Sequence, residues 1–78
     1  MPHISVKMMK GRTEEQKKEL AAALEKTLSE TLGCPTTWVT VSIEDYTGAE
    51  WQDVFKKEIT DNKEHIYKDA EYDPKSLL

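Results

Sequence analysis

Residues 3–9 (HISVKMM) and residues 38–44 (WVTVSIE) share one pattern, and together they decide the fold. In the first, Ile4, Val6 and Met8 fall on one side, with His3, Ser5 and Lys7 on the other. In the second, Val39, Val41 and Ile43 share a face. A period of two is that of a strand with one buried face. Between them, Thr13 and Gln16 have the spacing of a capping box, in which two side chains satisfy the free amide groups at a helix start. Leu20, Leu24, Leu28 and Leu32, flanked by Ala21 and Ala23, then recur at helical spacing. Glu14, Lys17, Lys18 and Glu25 are left for solvent. Gly33 suits a left-handed C-terminal cap, and Pro35 blocks continuation. Strand, helix, strand predicts an α/β chain, a βαβ unit with a parallel two-stranded sheet and a right-handed crossover. Two strands alone leave exposed edges and an uncovered face, which pairing with a second copy into a four-stranded sheet would repair.

Beyond a turn near Thr47-Gly48, residues 50–68 carry Trp51, Val54, Phe55, Ile59 and Ile66 at roughly helical spacing, which predicts a second, C-terminal helix kinked near Asp61-Asn62. Residues 69–78 read as a tail, either flexible or strapped onto a partner. The whole of 1–78 reads as one domain, and one at the small end of what folds alone. A lone Cys34 cannot form an internal disulfide. His3 and His65 lack second ligands at metal-site spacing, so no metal is expected. Association with further copies is the remaining route to a stable core. The single cysteine and the lack of an apolar leader or span fit a soluble cytoplasmic protein, with no membrane partner.

The net charge of −4 argues against nucleic acid as a ligand. It is unevenly spread: residues 1–43 hold six bases and five acids, residues 44–78 five bases and ten acids. Lys7, Lys10 and Arg12 lie within the first twelve residues with no acid among them, an end suited to an anion.

Pro2 adds a specific chemistry. Proline is small enough for the initiator Met1 to be removed, which leaves a secondary amine at the start of the first strand. A free α-amino group titrates at about pH 8, and burial or a nearby cation lowers that value. Such an amine can take a proton at one atom and return it at another, as keto–enol exchange requires.

The start MPHISVK, the segment GRTEEQKKEL with Arg12 ten positions after Pro2, the loop and strand GCPTTWVTVSI, and the late segment AEWQDVFKKEI together resemble the tautomerase superfamily. The resemblance is to the 4-oxalocrotonate tautomerase family and, within it, the PptA-like branch, over nearly the whole chain. It implies a βαβ subunit acting as a cofactor-independent tautomerase on small 2-keto or enol carboxylates. It also implies Pro2 as catalytic acid and base, Arg12 as the holder of the substrate carboxylate, and Trp51 as an aromatic that keeps the pocket apolar. A homodimer is implied, with a hexamer as the alternative. Thr40 stands where hexameric members have a second arginine, and a neutral hydroxyl does not replace that charge.

Simpler roles stand beside these. Arg12 suits carboxylate binding through its planar fork of donors, but it also fits a solvated turn. Trp51, Val54 and Phe55 fit the core side of a helix, Trp38 the outer face of a strand start, and His3 an ordinary strand hydrogen bond. Cys34 reads as an inert loop thiol. The rival function is a non-catalytic dimeric βαβ interaction module that docks a basic partner on its acidic second half.

Overall fold

The computed structural model describes residues 1–78. Its elements run β1 (His3–Met9), α1 (Glu14–Leu32), a 3-10 turn at Thr36–Trp38, β2 (Thr40–Tyr46), α2 (Gly48–Glu58), and 3-10 segments at Thr60–His65 and Pro74–Leu77. β1 and β2 pair into a two-stranded parallel sheet. The chain divides into two compact units, Met1–Asp45 and Tyr46–Leu78.

In the N-terminal unit the capping box forms as the spacing predicts. Thr13 Oγ1 accepts from the Gln16 amide at 3.1 Å and Gln16 Oε1 from the Thr13 amide at 2.9 Å. Glu14 and Glu15 occupy the first turn, where the helix dipole favours negative charge. α1 ends at Gly33, whose φ of 71° is the left-handed conformation that a side chain would strain. The Gly33 amide donates to Ser29 O at 2.8 Å. Leu20, Ala21, Leu24 and Leu28 are half-buried, as are Ile4, Val6, Met8, Val41 and Ile43 on the facing strand positions. These are the surfaces a βαβ crossover brings together. None of them is fully buried, and Leu32, at the end of the stripe, is 66% exposed. A sheet of two strands, about 5 Å apart, is too narrow to cover a helix about 10 Å across.

The other face of the sheet is polar over most of its length, with Met9 on it at the end of β1. His3, Ser5 and Lys7 of β1 lie alongside Thr40, Ser42 and Glu44 of β2, linked by His3 Nδ1 and Thr40 Oγ1 at 2.6 Å and by Lys7 Nζ donating to Glu44 Oε1 at 3.1 Å. The face left open by α1 is therefore largely a hydrogen-bonded polar surface, and the edges are what remain unpaired.

β2 starts two residues later than the alternation predicts. Pro35 opens a 3-10 turn in which the Trp38 amide donates to Pro35 O at 3.1 Å and the Val39 amide to Thr36 O at 3.0 Å. Trp38 accordingly sits in that turn, 47% exposed, rather than on a strand face.

In the C-terminal unit a second capping box, Thr47 with Glu50, starts α2. The helix stops at Glu58 instead of running to residue 68. Ile59 turns out of line (φ −119°, ψ −62°), and Asn62 Nδ2 takes Glu58 O at 3.1 Å, a side-chain bond that replaces a helical one. The kink at Asn62 lies where the sequence places it. The tail of residues 69–78 is strapped onto α2 of its own chain: Gln52 Nε2 donates to Pro74 O at 2.8 Å and Trp51 Nε1 to Tyr72 Oη at 2.9 Å.

Candidate active site

Pro2 is half-buried immediately before β1, and its carbonyl accepts from the Thr40 amide at 3.3 Å, which fixes the residue at the end of the sheet. Met1 ahead of it is 90% exposed. Gly11, with φ 129°, makes the turn between β1 and α1 that only glycine adopts without strain. Nothing lies within 4 Å of the Cβ it lacks, so the requirement is one of backbone conformation. Arg12 follows on this turn, exposed and without a side-chain partner. Lys10 is likewise exposed and unpaired. Lys7 is not an available cation in the same sense, because Glu44 and Ser5 hold its ammonium. Of the three bases near the leading end, the structure leaves two free.

Pro2 and Arg12 do not come together within the chain. β1 is unbroken between them, and seven residues of extended strand from Pro2 to Met9 span about 23 Å. They mark opposite ends of the strand.

Thr40 is occupied by its neighbour, since its hydroxyl pairs with His3, whose Nε2 also lies 3.4 Å from Ser42 Oγ. These groups supply polarity beside Pro2 without a fixed charge. Further along, Lys17 Nζ donates to Asp45 Oδ2 at 2.5 Å, and this bond, more than the attraction of Asp45 and Glu14, raises the lysine above its ordinary 10.5. Asp45 Oδ1 is buried without a hydrogen-bond partner.

Trp51 lies in the C-terminal unit. It is the one buried apolar side chain of the molecule, 9% exposed, with its ring 6.3 Å from that of Tyr46 in an edge contact. It packs as a core residue, as its helical spacing implies. Tyr72, which completes its hydrogen bonding, is a residue that sequence reasoning missed. The only hint was an aromatic placed just before Asp73-Pro74, a turn-forming pair. No cluster of three or more His, Cys, Asp or Glu is arranged to hold a metal ion, and no helix is long and apolar enough to cross a membrane.

Comparison with known proteins adds to this geometry. Residues 2–54 match the family model described as tautomerase enzyme. The chain is similar to a probable tautomerase of Xylella fastidiosa (strain 9a5c), 37% identical over 73 residues that cover 92% of this chain and 89% of that one. It is 51% identical over 45 residues to a probable tautomerase of Bacillus cereus, covering 58% of this chain and 74% of the relative. A 2-hydroxymuconate tautomerase of Bacillus subtilis (strain 168) is 40% identical over 45 residues, with 58% and 73% covered. Among solved structures, apo unfused 4-OT superposes with a TM-score of 0.62 at 38% identity, covering 64% of this chain and 82% of that one.

Proposed function

This chain belongs to the 4-oxalocrotonate tautomerase family and is an enzyme of the tautomerase class, and from that premise we propose that it interconverts enol and keto forms of small 2-keto carboxylates through Pro2. Loss of Met1 frees the Pro2 nitrogen as a secondary amine. In its neutral form the amine removes a proton from oxygen or carbon of the substrate, and in its cationic form it returns one to the neighbouring carbon. One group thus completes both transfers with no cofactor. The half-buried position of Pro2 favours the neutral form, since desolvation disfavours an ammonium. Arg12 anchors the carboxylate, and Trp51 is the aromatic residue of substrate binding.

The observation that carries this reading is the placement of Pro2 and the unpaired Arg12 at opposite ends of β1. One chain does not bring them to one substrate. A two-fold mate pairing antiparallel along the free edge of β1 does, because it sets the start of each strand beside the end of the other. The homodimer is then a four-stranded sheet in which each site draws Pro2 from one chain and Arg12 from its mate. The polar outer face, with Lys7 and Glu44 already paired, favours growth at the edge over stacking face to face, where those groups would be desolvated.

Ketonisation of an aryl enolpyruvate tests the reading, with intact mass establishing loss of Met1. Pro2→Ala and Arg12→Ala should each be inactive or nearly so, and equal rates in Pro2→Ala and wild type would leave the interaction module as the function. Refolded together in equal amounts, the two variants should regain about a quarter of wild-type activity, because half of the dimers are mixed and each of those has one intact site. A site complete within one chain would regain nothing.

A further inference from the structure

The C-terminal strap is fastened to α2 at several points. Trp51 Nε1 donates to Tyr72 Oη at 2.9 Å, and the Tyr72 ring meets Phe55 edge to face with centroids 5.7 Å apart and planes at 71°. Gln52 Nε2 donates to Gly48 O at 3.1 Å and to Pro74 O at 2.8 Å, which joins the helix start to the strap. Gly48 has no side chain where the Leu77 carbonyl lies against the helix, and a Cβ there would collide with it.

An indole has one donor and no acceptor, so a buried tryptophan needs one partner in one direction. Tyr72 is that partner, and Tyr46 restrains the same ring by its edge contact. The orientation of Trp51 is therefore set by a residue 21 positions away on an irregular segment as well as by its own helix.

We propose that Tyr72 is a positioning residue for substrate binding: through its hydroxyl it holds the Trp51 indole in one orientation, and the consequence for binding rests on the substrate-binding role given to Trp51 above. Tyr72 does not touch the reacting atoms. Tyr72 is itself 45% exposed, so removing the hydroxyl leaves the contact with Phe55 and opens no cavity.

The test compares Tyr72→Phe, Tyr72→Ala and Trp51→Leu in the full chain. The measurements are ketonisation kinetics and the indole N–H resonances, with that of Trp51 assigned by its loss in Trp51→Leu. Tyr72→Phe should shift the Trp51 resonance and leave that of Trp38 in place. It should raise KM about threefold to tenfold, the range one hydrogen bond commands, and keep kcat within about twofold. Tyr72→Ala should raise KM further. An unchanged KM in both Tyr72 variants, alongside a raised KM in Trp51→Leu, overturns the positioning role and leaves Trp51 as a substrate-binding residue. An unchanged KM in folded Trp51→Leu removes the substrate-binding role of Trp51, and the proposal with it.

Discussion

The two units of this small chain reach order by opposite means. The N-terminal unit is almost entirely regular, two strands and a helix of five turns, yet it buries no side chain fully. The C-terminal unit has one short helix and much irregular backbone, yet it holds the one buried side chain, Trp51, under a strap of its own making. Regular hydrogen bonding and burial are therefore separable. A βαβ unit with two strands pairs its backbone within the helix and between the strands, but it leaves the outer strand edges open and lacks the width to enclose its helix, so it gains from a second copy. The C-terminal unit closes on itself.

The largest test of this contrast is Trp51→Ala, which should cost about 3–5 kcal/mol by the usual price of truncating a buried aromatic. Denaturant unfolding measures the loss, and amide exchange locates it: protection should fall across 46–78 while residues of α1 keep theirs. Uniform loss over both units would erase the distinction. Gly48→Ala comes next, at about 1–3 kcal/mol of overpacking against Leu77. Its backbone has no positive φ, so no backbone strain adds to the steric cost, and the better helix propensity of alanine offsets part of it. Accelerated exchange confined to residues 72–78 is the expected sign, and an unchanged melting point would mean that the strap yields freely.

The capping boxes offer a matched pair. Thr13→Ala and Thr47→Ala each remove one hydroxyl from the start of one helix and should each cost about 1 kcal/mol. Measured side by side in chemical denaturation, equal penalties would show that the caps act locally in both units despite their unequal burial.

The smallest effects are those of pH, and they fall at opposite ends of the scale. Asp69 is held below its ordinary 3.8, first by the hydrogen bond from Lys63 and then by that from the Ala70 amide. A depressed carboxyl contributes stability above its unfolded value that is lost as pH falls through the folded one. Lys17 is raised by Asp45, so its contribution is present below 10.5 and is lost as pH rises through the higher folded value. Melting curves against pH should lose the acid-side component in Asp69→Asn and the alkaline-side component in Asp45→Asn. Both changes are small because Asp69 and Lys63 are exposed and the Lys17 pair lies near the surface.

The same contrast governs what could be read from residue order. β1, α1 and both ends of α1 were legible, because alternation, leucine spacing, Thr13, Gln16 and Gly33 are all local signals. β2 was legible as a strand, but its start was not, since Pro35 draws Thr36–Trp38 into a tight turn that the run of β-formers conceals. The length of α2 was misjudged because Ile59 and Ile66 continue a helical period after Asn62 has taken Glu58 O. The strap was open to two readings, and its hold on Trp51 was hidden, because a contact across 21 residues of irregular chain leaves no period behind. The family match itself ends at residue 54, inside α2. Pro2 and Arg12 are proposed as site residues from order alone. Their separation along β1 needed the fold.

That separation turns β1 into a ruler. One extra residue would send every later side chain of the strand to the wrong face, and two would restore the faces but lengthen the gauge by about 7 Å. With Pro2 and Arg12 in the roles proposed for them, the seven residues His3–Met9 set the distance between the two, and an insertion there changes it.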